Sequence, residues 1–331
     1  MMTMRHRNLR RMALGAALGL AAALAGQACM AQAYPSKPIK MVIPYTPGGS
    51  IDTVGRLVAE QLQKQLGQPI VIENHAGASG LIGSAAVQRS KADGYTLLFN
   101  ASSQVYMPLV VSKPTYDAEK DFTPVAQIGY VPLVVAVNND VPAKTLGELA
   151  QLAKTSPGKY TWATSGLGTT SHLSEEMINR ALKLDMEIVA YKGAVPQLTD
   201  VVGGHVSAAI SPMPGVHPFV AGGRLRAIAV TSKKRVAQMP DVPTVAESGV
   251  PDFEVLSWYG IWGPAGMPAD VVATLNREVA RAVGTAGLKA RFNDLSFVPT
   301  QSSPEEFRAM IRQDIVSIGK AVKEANIKIS F

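Results

Sequence analysis

The chain has 331 residues, of which 47% are hydrophobic, so it is long enough for a large core and for two domains. Aromatic residues make up only 6%, which argues against a groove of base-stacking side chains for nucleic acid. The formal net charge is +7, but the first 33 residues carry four arginines and no acids. The remaining +3 gives no basic surface typical of nucleic-acid binding.

Those first 33 residues have the pattern of a secretory signal peptide. A basic start, "MMTMRHRNLRR", precedes an apolar run, "MALGAALGLAAALAG", and the small residues of "AQA" end the segment. We therefore predict cleavage before Tyr34 and export of the mature protein, and the family resemblance given below places it in the periplasm. The Arg10-Arg11 pair leaves export by the twin-arginine route open beside the general secretory route. Cleavage removes Cys29, the single cysteine, so no disulfide is expected in the mature chain.

Residues 39–102 alternate between strand and helix patterns. Short apolar runs rich in β-branched residues predict strands at "IKMVIPY", "PIVIEN" and "YTLLFNAS". Between the first two, the apolar residues of "IDTVGRLVAEQLQKQLG" recur at the spacing of one helical face, and Gly67 is placed to end that helix. "GLIGSAAVQRSK" predicts a second helix. This β-α-β-α-β order is typical of a parallel sheet covered by helices.

The middle of the chain predicts a second β-α series. "FTPVAQIGYVPLVVAVNND" predicts two strands, the second over 132–137, and "VPAKTLGELAQLAKTSPG" predicts a helix. The strand "YTWATS" begins the new series, and "PQLTDVVGGHVSAAI" and "HPFVAGGRLRAIAV" each predict a helix, a Gly-Gly break and a strand. "EVLSWYGIWGPAG" then predicts an extended segment that crosses between the two series. Two helices end the chain, "PADVVATLNREVARAVG" and "SPEEFRAMIRQDIVSIGKAVKEA".

Two helices begin in glycine-rich turns directly after a predicted strand, at "YTPGGSIDTVGRLVAEQL" and "TSGLGTTSHLSEEMINRAL". The first amides of a helix have no intrahelical acceptor, and the helix dipole places partial positive charge there. Glycine lets such amides converge on an anion, so each turn predicts a site for a carboxylate or a phosphate. The alternative is that Ser50 or Thr169 only caps its helix. Two such turns in separate series favour a shared cleft.

The chain lacks the sequence signatures of several enzyme classes. "GLGTTS" has no third glycine for a dinucleotide fingerprint, and neither a P-loop nor a G-x-S-x-G nucleophile elbow is present. The histidines have no spacing typical of zinc ligands, so no metal is expected. A hydrolase that uses Ser165 or Ser102 with His172 stays open as an alternative, because a Ser-His pair can assemble from distant segments.

At this point the sequence resembles a known family, the solute-binding proteins of tripartite tricarboxylate transporters, also called the Bug family. The resemblance rests on the exported leader and on the order of "YPSKPIKMVIPYTPGGSIDTVGRLVAEQL", "VIENHAGASGLIG", "ADGYTLLF", "SGLGTTSHL", "YKGAVPQLTDVVGGHVSAAI", "RLRAIAVTSKKR", "PDVPTVAESG" and "WYGIWGPAGMP". These fragments cover essentially the whole mature chain.

The resemblance implies an α/β fold of the type II periplasmic-binding-protein class, with two lobes joined by crossing strands around a ligand cleft. One lobe would comprise residues 34–137 and 256–331, and the other residues 138–255. The implied function is capture of a small carboxylate by lobe closure and its delivery to integral-membrane permease subunits, without enzymatic activity. No cofactor or nucleic-acid partner is implied, and the expected state is a monomer. A sensor that does not take part in transport would use the same fold, so that alternative stays open.

The resemblance also implies the residues that contact the ligand. In the first lobe they are Tyr45, Thr46, Gly48, Gly49, Asp52, Ala101, Ser102 and Ser103. In the second lobe they are Ser165, Gly168, Thr169, Thr170, His172, Lys192, Gly193 and Ser211. Alternatives stay open for three of them: Asp52 stabilises the first helical turn by its charge, His172 packs against its own turn, and Lys192 is only solvated.

Some positions differ from what is usual in the family. Ser211 stands where many relatives have an aspartate that could pair with a ligand ammonium group, so we expect a ligand without an amino group, such as a dicarboxylate or an aromatic acid. His75 and Ser79 stand where arginine and glycine are usual, which affects the expected packing of that loop more than the site.

Overall fold

The computed structural model describes residues 34–324 and 327–329. The predicted signal peptide at 1–33, with Cys29 and the Arg10-Arg11 pair, lies outside the described residues. From Lys37 onward the chain forms one compact unit. Within the described ranges no helix combines the length and the hydropathy that a membrane span requires.

Ten strands form one sheet in this part of the chain. They are β1 (Ile39–Ile43), β2 (Ile70–Asn74), β3 (Thr96–Ala101), β4 (Phe122–Asn138), β5 (Thr161–Thr164), β6 (Glu187–Ala190), β7 (Ala208–Pro212), β8 (Leu225–Val230), β9 (Leu256–Pro264) and β10 (Val298–Pro299). The helices are α1 (Ser50–Leu66), α2 (Leu81–Gln88), α3 (Ser103–Val110), α4 (Leu146–Thr155), α5 (Thr170–Leu182), α6 (Ala194–Val202), α7 (Met213–Ala221), α8 (Ala269–Gly284), α9 (Ala286–Asp294) and α10 (Pro304–Glu324).

The strands fall into two groups that share β4. In the first group β1 lies between β2 and β3 and runs parallel to both, while β9 pairs antiparallel with β3 and with the first part of β4. In the second group β5 runs parallel to β6 and β7, and both β7 and β8 pair antiparallel with the last part of β4. The predicted α/β alternation is therefore present in both groups.

The prediction of two strands within residues 122–140 is wrong, because β4 is one strand of 17 residues. Its first part pairs with β9 and β10, and its last part pairs with β7 and β8. Irregular register interrupts the β9 ladder near Gly129, where the chain adopts a φ of 153°. A Cβ at that position would collide with the main chain of Val298, so only glycine fits this crossing.

Two helices were not predicted from the sequence, α3 and α9. Helix α3, "SQVYMPLV", is short, contains Pro108 and is mostly buried, so its pattern has no polar face to reveal a helix. Helix α9 lies between the two predicted terminal helices, so the C-terminal region holds three helices and not two. By contrast Gly67 ends α1 in the left-handed conformation, with a φ of 64°, as predicted.

The topology brings the ends of four strands to one region. Strands β1 and β3 of the first group end at Ile43 and Ala101, and each is followed at once by a turn and a helix. In the second group β5 ends at Thr164, six residues before α5 begins, and β7 leads directly into α7. Ligands of open α/β sheets bind beyond the carboxyl ends of such strands.

Candidate functional site

Helix α1 begins without a capping side chain. Gly49 is its N-cap residue, with a φ of −75° and a ψ of 171°, and no side chain bonds to the amides of the first turn. Those amides, which belong to Ser50, Ile51 and Asp52, have no acceptor within the helix. The glycine places main-chain donors at a surface that a bulkier cap would cover.

The turn before α1 is held by the Asp52 carboxylate. Its oxygens accept hydrogen bonds from the main-chain amide of Gly48, the Asn74 amide and Nε of Arg56, each at 2.9 Å. Burial opposes ionisation, but the hydrogen bonds from Arg56, Gly48 and Asn74 outweigh it and hold the pKa of Asp52 below its ordinary value. Asp52 therefore orders the turn, and the amide of Gly48 is already used.

Helix α5 begins at a turn that is stabilised by its own residues. The hydroxyl of Thr169, the N-cap, accepts from the His172 amide at 3.3 Å and donates to the Gly166 carbonyl at 2.7 Å. The amide of Gly168 donates to Nδ1 of His172 at 3.2 Å, and burial lowers the pKa of that ring to about 4. The imidazole is therefore neutral at neutral pH and packs against the turn, which leaves the first-turn amides of Thr170 and Ser171 without an intrahelical acceptor.

The starts of α1 and α5 line the same cavity, which encloses about 500 Å³ of space free of protein atoms, part of it open to solvent. The predicted residues that line the cavity are Tyr45, Thr46, Gly49, Asp52, Ala101, Ser103, Ser165, Thr169 and Thr170.

The other predicted residues lie beside the cavity without lining it. They are Gly48, Ser102, Gly168, His172, Lys192, Gly193 and Ser211. The hydroxyl of Ser102 is 2.7 Å from that of Thr170, and Gly193 packs its Cα against Oγ1 of Thr46, where a Cβ would not fit. Ser211 is fully buried, and its hydroxyl has no partner among the described residues. Lys192 lines an adjoining part of the cleft.

The sequence did not predict the cavity residues Ser50, Ile51, Ser171, Ala194, Pro212, Ser257 and Tyr259. Ser50, Ile51 and Ser171 belong to the first turns of α1 and α5. The position of each helix start in the sequence could therefore have identified them as cavity residues. Ser257 and Tyr259 lie on β9, whose place beside β3 depends on long-range pairing. The buried hydroxyls of Tyr259 and Thr46 have no partner among the described protein atoms, and burial raises the pKa of Tyr259 to about 12. Such groups favour a polar ligand or water in the cavity.

The geometry does not assemble the alternative Ser-His site. Nδ1 of His172 accepts from the Gly168 amide, and Nε2 lies 3.7 Å from Glu176. The hydroxyl of Ser102 bonds with Thr170, and neither it nor that of Ser165 is bonded to the ring in the described residues. In the same ranges no group of three His, Cys, Asp or Glu side chains could hold a metal ion.

Comparison with known proteins gives the family. Residues 54–327 match the family model "Tripartite tricarboxylate transporter family receptor". The chain is 36% identical to Protein BugT of Bordetella pertussis over 319 residues, which cover 95% of this chain and 98% of BugT.

Solved structures agree with this match. The periplasmic binding protein BugD superposes with a TM-score of 0.86 at 32% identity, covering 89% of this chain and 99% of BugD. An R. palustris protein solved with adipate gives a TM-score of 0.87 at 33% identity, covering 89% of this chain and 99% of that protein. BugD is a periplasmic binding protein by its title, and the superpositions confirm the predicted periplasmic-binding-protein fold. The chain therefore belongs to the receptors of the tripartite tricarboxylate transporter family.

Proposed function

We propose that this chain is an extracytoplasmic solute-binding protein that captures a small carboxylate and delivers it to the membrane permease of a tripartite tricarboxylate-type transporter. The observation that carries the proposal is the shared cavity at the starts of α1 and α5. The uncapped first turn of α1 supplies main-chain donors on one side, and the first turn of α5 supplies them on the other.

A carboxylate fits this cavity better than a neutral or cationic group. Hydrogen bonds from amides to an anion are stronger than those to a neutral acceptor, and both helix dipoles favour negative charge. The acidic side chain in the wall, Asp52, already accepts from Arg56, Asn74 and Gly48. Its charge is therefore compensated, and it does not offer free oxygens to a ligand ammonium group. Together with Ser211, this favours a ligand without an amino group.

Capture proceeds by closure of two lobes, residues 34–137 with 256–331 and residues 138–255. With this division, two close contacts across the cavity join one lobe to the other, as a closed form requires. The hydroxyls of Ser102 and Thr170 are bonded, and Oγ1 of Thr46 lies against Gly193. A carboxylate gains donors from both lobes only when they are together, so its binding shifts the population towards the closed form.

Transport, and not catalysis, is the role that the relatives support. BugD is described as a periplasmic binding protein, and the R. palustris relative was solved with a dicarboxylate, adipate. By analogy this chain acts in the periplasm after removal of residues 1–33, as a monomer that presents its closed form to the permease subunits.

The test is a thermal-shift screen of the chain without residues 1–33 against small carboxylates, followed by calorimetry on those that raise the melting temperature. A ligand that binds only the native state stabilises it by RT ln(1 + [L]/Kd), so the melting temperature keeps rising as more ligand is added. We expect carboxylates to raise the melting temperature. We expect no rise with their amides or with the corresponding amino acids. Tight binding of amino acids would contradict the amino-group prediction, and the absence of binding by every carboxylate would contradict the proposed function itself.

A further inference from the structure

Leu173 of helix α5 is buried in a core that belongs to the other lobe. It is 6% exposed and is a member of a hydrophobic cluster whose other buried members, among the described residues, lie at 42–122 and 258–329. Both ranges fall in the first lobe, residues 34–137 and 256–331, whereas Leu173 falls in the second. Leu167, just before the helix, is partly buried against the same cluster. Two leucines at the start of α5 are therefore set into the core of the first lobe.

The rest of α5 is attached to the second strand group. Ile178 is fully buried in a different cluster, together with Trp162 of β5 and Ile210 of β7. The Trp162 indole also donates to the Asn179 side chain at 2.9 Å. Because Leu173 and Ile178 are five residues apart, they point in directions roughly 140° apart around the helix. Any separation of the lobes therefore carries α5 with the second group and withdraws Leu173 from the first.

The turn before α5 lies directly against helix α3 of the first lobe. Gly168 has a φ of 73°, and a Cβ there would come to 2.5 Å from Sδ of Met107 and 2.6 Å from Cγ2 of Val110. The bonded hydroxyls of Ser102 and Thr170 lie at the edge of this contact. The contact between the lobes at this place is therefore closely packed and mainly apolar.

The same helix start also forms part of the carboxylate cavity. Thr169, Thr170 and Ser171 line that cavity, and Leu173 does not. Leu173 instead lines a separate space, partly open to solvent, with Tyr106 and Ile318 of the first lobe. Since Leu173 is less than one turn from Thr170, its insertion into the first lobe fixes where the first-turn amides of α5 lie.

Burial of these leucines favours the closed arrangement. A leucine side chain prefers a core over water by about tenfold to a hundredfold when it is fully transferred. This preference is not directional and needs no ligand. It therefore adds to the closed population independently of the hydrogen bonds that a carboxylate forms in the cavity.

We propose that Leu173, with Leu167 beside it, is a positioning residue that acts as an apolar latch between the lobes: it enters the core of the first lobe on closure and so raises the affinity for the carboxylate without contacting it. The inference rests on the proposed function, because it requires that the lobes separate and close.

The experiment is calorimetry on the wild type and Leu173→Ala with succinate, glutarate, adipate and benzoate as probes. We expect Leu173→Ala to raise the Kd of the tightest probe by about tenfold, because the closed form loses the buried leucine and the open form does not. Leu173→Met conserves the volume and should stay within about threefold of the wild type. Leu167→Ala, at a half-buried position that the fold tolerates more easily, should weaken binding by about threefold.

The matched control is Ile178→Ala, which removes a buried side chain from the other face of the same helix. It should lower the free energy of unfolding in urea at least as much as Leu173→Ala, yet leave the Kd within about twofold of the wild type. Small-angle X-ray scattering adds a measure of closure, since the radius of gyration falls as the lobes close. Leu173→Ala should reach the wild-type value only at about tenfold higher probe concentration.

The outcomes separate the latch from the function beneath it. An unchanged Kd in both Leu173→Ala and Leu167→Ala, or equal weakening in Leu173→Ala and Ile178→Ala, overturns the latch and leaves carboxylate capture intact. Failure of the wild type to bind any of the four probes overturns capture of these carboxylates and the latch with it.

Discussion

The side-chain oxygens of Ser102 and Thr170 lie 2.7 Å apart and are both buried, which joins the end of β3 to the first turn of α5. In the lobe-closure mechanism this hydrogen bond exists only when the lobes are together. This hydrogen bond would therefore stabilise the closed form from beside the cavity. Thr170 lines the cavity, and Ser102 does not.

The first prediction concerns this bond. Ser102→Ala should raise the dissociation constant of the carboxylate about five- to tenfold, because a buried hydrogen bond contributes roughly 0.5–1.5 kcal/mol and its loss leaves the Thr170 hydroxyl unpaired. Calorimetry on Ser102→Ala, Thr170→Val and the double variant measures the coupling between the two positions, which we expect to be about 1 kcal/mol. Strictly additive effects would mean that the bond does not contribute to closure.

The second prediction concerns Gly49. Its φ of −75° suits any residue, so the fold does not require glycine there. A Cβ at Gly49 would meet the Cβ of Ala194 at 3.7 Å, an ordinary contact, and would point across the cleft towards α6. We therefore expect Gly49→Ala to bind within about twofold of the wild type. Gly49→Val, whose extra methyl groups overpack the closed cleft, should lose about tenfold or more.

Urea unfolding without ligand provides the control for Gly49. Both variants should retain nearly the wild-type free energy of unfolding, since the strain arises only on closure. Wild-type affinity in Gly49→Val would remove the support for a narrow closed cleft at the start of α1.

The sequence predicted the parts of the site that depend on local geometry. Of the two caps named from the sequence, Thr169 is confirmed as the N-cap of α5. The cap at Ser50 is wrong, because Gly49 is the N-cap of α1 and Ser50 is already its first helical residue. The sequence did not predict Tyr259, because that side chain reaches the cavity only after β9 pairs with β3. The continuity of β4 was missed for the same reason: its two parts have different partners, which the local pattern does not reveal.

The third prediction is a loss of stability at acid pH that depends on His172. Burial lowers the pKa of this ring to about 4, whereas an unfolded histidine titrates near 6.5. Because the folded pKa is the lower one, the unfolded state binds the proton first. The neutral ring contributes about 3 kcal/mol to the free energy of unfolding. This contribution is complete above about pH 6.5 and is lost as the pH falls to about 4. Glu176, 3.7 Å from Nε2, would favour the protonated ring, so this is an upper limit.

The measurement is the free energy of unfolding in urea between neutral pH and pH 4, for the wild type and His172→Asn. Asparagine offers an oxygen to the Gly168 amide but does not titrate. We expect the variant to have the shallower pH dependence. Parallel curves would show that the ring is solvated enough to titrate normally.

The last prediction concerns Glu175, a fully buried acid on α5 behind the cavity. One of its oxygens accepts from the Ile210 amide at 3.3 Å, and the other has no partner in the described part of the chain. Burial raises its pKa well above the usual value, so the folded state binds a proton that the unfolded state releases near pH 4. Its contribution to stability is therefore complete below the unfolded pKa and is lost as the pH rises towards the folded pKa.

Glu175→Gln keeps an oxygen for the Ile210 amide and carries no charge at any pH. We expect the variant to match the free energy of unfolding of the wild type near pH 5 and to exceed it by about 1 kcal/mol or more near pH 8. At pH 8 the wild type must either bury an ionised carboxylate or keep the acid protonated, and glutamine avoids both costs. Glu175→Leu serves as the control, since it leaves the Ile210 amide without an acceptor and should be destabilised at every pH. If Glu175→Gln and the wild type lost stability equally with rising pH, the carboxyl group would have to be ionised in the fold, and water would have to reach its second oxygen.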